Sequence, residues 1–174
     1  QQQQQQQPQQ QQQPPRRRRV QVVIPSGNFG NALAAYYAMR IGAPALDSIV
    51  VATNANDVLH RFFSTGVYQR QQSTTPTLSP SMDITVASNL ERLIFHILGD
   101  DEKQCADFMA TFATTGTATL PPTAVATLRA ARFSSASVGD DDVRSTITTT
   151  YHHHHYLLDP HTFNSHAYYY YYYY

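Results

Sequence analysis

The sequence lacks residues on which several classes of protein depend. It contains no tryptophan, one cysteine (Cys105) and one lysine (Lys103). A single cysteine excludes an internal disulfide and a cysteine-based zinc framework, and it favours a reducing compartment. No apolar run is long enough to span a bilayer, and the polar N-terminal segment lacks the hydrophobic centre of a secretory signal. We therefore expect a cytoplasmic protein without membrane contact.

An excess of charge of one sign is also missing. The 12 basic and 12 acidic residues balance, and four of the basic ones form the arginine run at residues 16–19. Without that run the sequence is mildly acidic, which does not favour nucleic acid as a partner.

Both ends of the chain have a low-complexity composition. Residues 1–19 form a Gln/Pro/Arg segment that we predict to be disordered, and residues 164–174 form a tyrosine-rich tail. Neither end can build a packed core by itself. The remaining segment, 20–163, is long enough for one core. The tails are interpreted either as interaction segments or as translated repeats that replace missing exons, and we prefer the second interpretation.

Strand and helix signals alternate in the first half of the chain. A β-branched run at 20–24 ends at Pro25, and helix formers at 32–40 stop at Gly42. A second strand is predicted at 48–53 and a second helix at 58–64, capped by residues 54–57. This alternation predicts an α/β sheet with parallel pairs. Further helices are predicted at 90–98 behind a capping box at 88–91, and at 100–115, 123–132 and 140–150.

A glycine-containing loop joins the first predicted strand to the first predicted helix. Its sequence is SGNFGN, residues 26–31. The first N–H groups of a helix have no partner within it and attract a phosphate, provided that side chains do not block the approach. Gly27 and Gly30 give that clearance, and the amides of Asn28 and Asn31 add donors. The spacing is neither the dinucleotide pattern nor a P-loop, so a simple tight connection remains the alternative.

Five sequence blocks carry a family resemblance. They are SGNFGN after VVIP, VVATNANDVLHRFFSTGVY, TLSPSMDI followed by SNLERLIF, FATTGTATLPP, and YLLDPHT. In this order they resemble the C-terminal half of threonine synthase, a pyridoxal-phosphate enzyme of the tryptophan-synthase-β-like fold, over nearly all of residues 20–162. The resemblance implies a partial three-layer sheet-and-helix domain of the fold-type II pyridoxal-phosphate enzymes, with low-complexity tails.

The resemblance also implies a cofactor and a reaction. The glycine loop is expected to hold the phosphate of pyridoxal 5'-phosphate, and the family reaction is a lyase step of threonine biosynthesis. It converts O-phospho-L-homoserine and water to L-threonine and phosphate, with the cofactor ring as electron sink. The cofactor-binding residues that it implies are Ser26, Gly27, Asn28, Phe29, Gly30 and Asn31.

Two parts of the family's active site have no counterpart in the sequence. The family's Schiff-base lysine lies upstream of the glycine loop, where this sequence has Gln, Pro and Arg. Lys103 has acidic neighbours that favour its charged, unreactive form, so we predict a solvated helix residue and assign no catalytic residue. A TAHPAKF-like segment, which in the family contacts the pyridine nitrogen, does not follow YLLDPHT. We therefore expect a fragment that is inactive alone and that associates with itself through exposed strand edges and tails.

Three further features have two interpretations each. Asn54, Asn56, Asp57, Arg61 and the segment 77–83 fit either the active-site side of the family fold or ordinary capping and loop packing. The histidines at 152–155, 161 and 166 fit either a metal site or repeat drift, and we predict no metal site. For the chain as a whole, the alternative to a threonine synthase fragment is a non-catalytic phosphate-binding interaction protein with a polyglutamine tail.

Overall fold

The computed structural model describes residues 19–43 and 45–173, with side chains to His166. Residues 1–18 of the predicted N-terminal tail lie outside the described residues. The strands are β1 (Val20–Pro25), β2 (Leu46–Thr53), β3 (Val67–Gln69), β4 (Thr117–Thr119) and β5 (Phe133–Ser137). The helices are α1 (Gly30–Arg40), α2 (Val58–Thr65), α3 (Leu90–Ile97), α4 (Glu102–Thr115), α5 (Pro122–Ala130), α6 (Asp140–His154) and α7 (Pro160–Tyr173).

Three parallel strands form the main sheet in the order β1-β2-β5. The central strand β2 has the sequence LDSIVVAT, and its last five residues are all buried. A continuous apolar run of this kind is typical of a parallel strand covered on both faces. Val50 at its centre is paired with Val23 of β1 and Ser134 of β5.

The two faces of this sheet pack against different helices. Ile49 and Val51 point into the main core, to which α1, α2, α3, α4 and α5 contribute. Val50, the residue between them, faces the opposite side with Val23 and Ala136, because side chains alternate along a strand. None of the buried side chains described in the main core belongs to α6 or α7, and α7 contacts both β1 and β2. The predicted α/β class with helices on two sides of a sheet is confirmed.

Two predicted helix caps are wrong. A capping box would need Ser88 as the cap of α3, but α3 begins at Leu90 and no side chain caps it. Asn89 at that position instead donates from Nδ2 to the carbonyl oxygen of Asn28, 3.0 Å away. At α2 the Asp57 carboxylate likewise caps nothing and accepts from Arg61 Nε at 2.9 Å. In both cases a tertiary or side-chain partner replaces the local backbone partner.

Several elements had no prediction. The short strands β3 and β4 pair antiparallel beside the main sheet, and β5 joins the main sheet at its edge. Helix α7 extends through most of the tyrosine-rich segment, and Asn164 in its second turn is fully buried. The division of the chain at residues 19 and 163 stays a prediction. No helix in the described part of the chain is both long and apolar enough to cross a bilayer.

Candidate functional site

The glycine loop lies at the carboxyl end of β1 and leads directly into α1. The backbone N–H of Ser26 still donates to Ala52 of β2, at 2.8 Å, so the sheet extends to the first loop residue. Phe29 then adopts a left-handed conformation, with φ 66°, and its carbonyl accepts the first helical hydrogen bond from Leu33. The N–H groups of the first turn of α1 therefore have no partner within the helix.

A cavity of about 250 Å³ opens at this loop. All six residues that the family resemblance implies line it. Four more lining residues come from elsewhere: Pro25, Ser81, Asn89 and His161. No carboxylate lies among these lining residues, so the cavity, at the positive end of a helix, is electrostatically suited to an anion.

The Ser26 side chain is the most informative group in this cavity because it lacks a hydrogen-bond partner. Its side chain is 5% exposed, and its Oγ is buried with no hydrogen-bond partner in the described structure. A buried hydroxyl without a partner costs free energy, and such groups are rare in folded proteins. The side chains of Asn28 and Asn31 are exposed and make no hydrogen bond within residues 19–43 and 45–173, so they remain available to a ligand. The lining thus holds several polar groups with unused hydrogen-bonding capacity.

Phe29 takes part in the site through its backbone. Its side chain is 1% exposed, and its ring lies 5.7 Å from the ring of Phe63 and 5.9 Å from that of Phe133. These aromatic contacts anchor the loop to the core. The left-handed backbone at Phe29 is held by this packing, although such a conformation is uncommon for a bulky side chain.

The two glycines of the loop meet different surroundings. A Cβ at Gly27 would lie 3.1 Å from Met82 Cα and 3.3 Å from Ser81 O, both in the backbone of the 3₁₀ turn Pro80–Met82. A Cβ at Gly30 would meet only Asn89 Nδ2, at 3.5 Å. Gly27 therefore allows a close backbone approach, whereas Gly30 has room.

A buried polar network holds the 3₁₀ turn in place. Asp83 Oδ1 accepts hydrogen bonds from Asn54 at 2.7 Å, from Asn56 at 2.9 Å and from the hydroxyl of Thr77 at 2.7 Å. Its Oδ2 accepts from the N–H of Thr77 at 3.0 Å. Asn54 also donates to Ser79 Oγ at 3.1 Å. The loop-packing interpretation of Asn54, Asn56 and Ser79 therefore fits their contacts, since none of them lines the cavity.

The sole lysine and the cysteine lie outside the cavity lining. Lys103 is 85% exposed on α4, and a 2.7 Å ion pair with Asp107 raises its pKa. This confirms the predicted solvated, charged lysine. Burial raises the pKa of the Cys105 thiol, which keeps it protonated. Within the described chain no group of three or more metal-ligating side chains could hold an ion.

Comparison with known proteins identifies what this chain resembles. No protein-family model matches it. It is 46% identical to threonine synthase of Saccharomyces cerevisiae over 90 residues, which are 48% of this chain and 17% of the yeast protein. It is 40% identical to threonine synthase of Pseudomonas aeruginosa over 124 residues, 71% of this chain and 26% of the relative. The crystal structure of PLP-bound threonine synthase from Brucella melitensis superposes with a TM-score of 0.81 and 34% identity, covering 88% of this chain and 32% of that one.

These similarities confirm the resemblance and the fold class. They are to enzymes, so the alternative of a non-catalytic interaction protein is not favoured. The chain spans about a third or less of the length of the proteins that it matches.

Proposed function

We propose that this chain, which resembles part of the threonine synthases in sequence and fold, forms the phosphate-binding part of such an enzyme. The residues that would hold the phosphate of pyridoxal 5'-phosphate are the six of the loop, Ser26 to Asn31. The first turn of α1 would contribute N–H groups, and Ser26 would contribute its hydroxyl. The observation that carries the proposal is the buried Ser26 Oγ without a partner, at the head of a helix and in a cavity without carboxylates.

The cofactor and the protein would contribute different things to the reaction. Bound pyridoxal phosphate supplies an electron sink for carbanion chemistry at the substrate. The residues described here would fix its phosphate and thereby orient the ring, and the Asp83 network would keep the 3₁₀ turn against Gly27. The proposed activity of the whole enzyme is conversion of O-phospho-L-homoserine and water to L-threonine and phosphate. Because Lys103 is exposed and paired with Asp107, we expect turnover to need a lysine from outside these 174 residues.

The proposal can be tested by replacing Ser26, because its hydroxyl has no hydrogen-bond partner in the described structure. Replacing Ser26 with alanine removes a buried hydroxyl that bonds to nothing, so we expect the free energy of unfolding to rise by about 1 kcal/mol. The same change removes a donor to phosphate, so the dissociation constant for pyridoxal phosphate should rise about tenfold. Urea denaturation and isothermal titration calorimetry measure the two effects on the 174-residue chain. Ser134→Ala, at an exposed position of β5, is the matched control and should alter neither value.

If the Ser26 hydroxyl binds the ligand, Ser26→Ala should be more stable than the unaltered chain and should bind pyridoxal phosphate more weakly. A loss of stability in Ser26→Ala would mean that the hydroxyl serves the fold. Unchanged affinity in a stabilised variant would mean that the phosphate binds elsewhere. Absence of pyridoxal phosphate binding by the unaltered chain would refute the proposal for this chain.

We also propose self-association and a cytoplasmic location. Among the described strands, β1 and β5 are each paired on one side only, and Tyr156 and Leu157 are 62% and 71% exposed. Open edges and exposed apolar groups favour contacts between chains. Light scattering at increasing concentration should show oligomers, and a constant monomer mass would contradict the proposal. Cell fractionation tests the location.

A further inference from the structure

We infer that His161 is a further phosphate-binding residue of this cavity, donating a hydrogen bond from its imidazole to a phosphate oxygen. The inference rests on the proposed function of the glycine loop. It extends that site to α7, a helix more than a hundred residues away in the sequence. His161 lines the same cavity as Ser26, Gly27, Asn28 and Asn31.

The backbone of His161 is fixed by the cap of α7. Asp159 Oδ1 accepts the N–H groups of His161 at 3.0 Å and of Thr162 at 3.1 Å, and Oδ2 accepts from the Thr162 hydroxyl. These bonds, first those from Thr162, hold the pKa of Asp159 below its usual value. The Asp159 carboxylate therefore satisfies the helix terminus, and both of its oxygens have partners.

The ring nitrogens of His161 are available for hydrogen bonding, although the imidazole interacts electrostatically with the Asp159 carboxylate. Neither ring nitrogen of His161 has a hydrogen-bond partner among the residues that the structure describes, and the side chain is only half-buried. Either tautomer of a neutral imidazole carries one N–H donor, and the protonated ring carries two. A ring N–H without a hydrogen-bond partner on the wall of this cavity is placed to meet an anion, and a charged or dianionic acceptor strengthens such a bond. Asp159, the carboxylate that interacts with this ring, does not line the cavity, and both of its oxygens already accept hydrogen bonds.

The start of α7 is tied to the glycine loop through the 3₁₀ turn. Asn164 is fully buried and donates to Pro160 O at 3.0 Å, and its Nδ2 lies 3.6 Å from Met82 Sδ. Met82 in turn lies against Gly27, because a Cβ at Gly27 would be 3.1 Å from Met82 Cα. Hence the loop, the turn and the head of α7 contact one another, and the backbone of His161 is held beside the cavity by bonds within the chain.

The experiment measures phosphate affinity of the 174-residue chain and of two variants. The probe is inorganic phosphate, titrated by calorimetry. His161→Ala removes the donor and should raise the dissociation constant about tenfold, the usual worth of a hydrogen bond to a charged group. His161→Gln keeps a neutral donor and should lose less. His153→Ala, at an exposed position of α6, is the control and should bind phosphate as the unaltered chain does.

A spectroscopic readout separates binding from a structural role. In proton–carbon NMR spectra the ring signals of His161 should move during a phosphate titration and stay in place with chloride at equal ionic strength. Parallel titrations with pyridoxal phosphate and with pyridoxal distinguish a bound phosphate ester from free phosphate. Stronger binding of pyridoxal phosphate than of pyridoxal and of inorganic phosphate would support the cofactor as the source of the bound phosphate group.

The outcomes separate the inference from the proposed function. If Ser26→Ala weakens phosphate binding and both His161 variants bind normally, the loop holds phosphate and the role of His161 is overturned. If all of these variants weaken binding while their thermal unfolding stays cooperative, both stand. If the unaltered chain binds neither phosphate nor the ester, both are overturned.

Discussion

Replacing Gly27 with alanine should destabilise the chain, although Gly27 lies in a loop. The added methyl would lie 3.1 Å from Met82 Cα and 3.3 Å from Ser81 O, closer than ordinary van der Waals contact. Both atoms belong to backbone, so relief requires the Pro80–Met82 turn to move by a few tenths of an ångström. That turn cannot move freely because Met82 is 1% exposed and Asp83 is fixed by several hydrogen bonds.

The expected magnitude is the sum of two opposing effects. Overpacking of a well-packed site costs about 1–3 kcal/mol. Gly27 does not have a positive φ, so alanine also restricts the unfolded chain and returns about 0.4–1 kcal/mol. The difference lies between about 0 and 2.6 kcal/mol, and we expect a net loss near its middle, about 1 kcal/mol, in the free energy of unfolding.

Gly30→Ala is a matched control three residues away. Its methyl meets only Asn89 Nδ2 at 3.5 Å, an ordinary contact, so the restriction of the unfolded chain dominates. That variant should gain about 0.5 kcal/mol. Urea denaturation at neutral pH measures both. Equal stability changes in the two variants would refute the argument that the turn braces the loop.

Two further predictions concern groups inside the fold. Asp83→Asn would place an amide donor against the N–H of Thr77 and should lower the free energy of unfolding by about 1–3 kcal/mol. The control Asp107→Asn, on the surface of α4, should lower it by under about 1 kcal/mol. Equal losses in urea denaturation would contradict the role of the Asp83 network. Burial raises the pKa of Tyr68, whose hydroxyl accepts from Ala87 N at 2.9 Å. As pH rises, the hydroxyl of Tyr68 therefore loses its proton in the unfolded chain before it does so in the folded chain. The free energy of unfolding should fall as pH rises past the usual tyrosine pKa of about 10, and it should fall less steeply in Tyr68→Phe. The same pH dependence in both proteins would show that another group causes the fall.

The sequence alone predicts the elements that have strong local signals. β1 and β2 are β-branched runs, and the helix predicted at 58–64 is observed as α2 (Val58–Thr65), which ends before Gly66 with its φ of 76°. By contrast β5 has the sequence FSSAS, which carries little strand preference, and it becomes a strand by pairing with β2. The three-residue strands β3 and β4 are too short for a periodic signal.

The site shows the same division between local and distant information. The loop of residues 26–31 is contiguous, so its glycines and its place before a helix point to phosphate. Ser81, Asn89 and His161 reach the cavity from three other segments. The family resemblance allows the segment 77–83, and so Ser81, a place on the active-site side, but no local sequence signal assigns Asn89 or His161 to the loop. The capping box predicted at 88–91 is local, whereas both donors of Asn89 go to the carbonyl oxygen of Asn28, a contact that only the tertiary fold creates.

The pairing of β2 with β5 has a consequence for how the chain folds. Thr53 Oγ1 donates to Ala136 O across 83 residues, and every bond between these strands closes a loop of similar length. Closing so long a loop costs entropy before the contacts repay it, and such non-local pairing slows folding. During synthesis β2 leaves the ribosome long before β5. The edge of β2 that pairs with β5 therefore has no strand partner while α2, α3, α4 and α5 are synthesised. That interval, more than the finished fold, is when a chaperone would matter most.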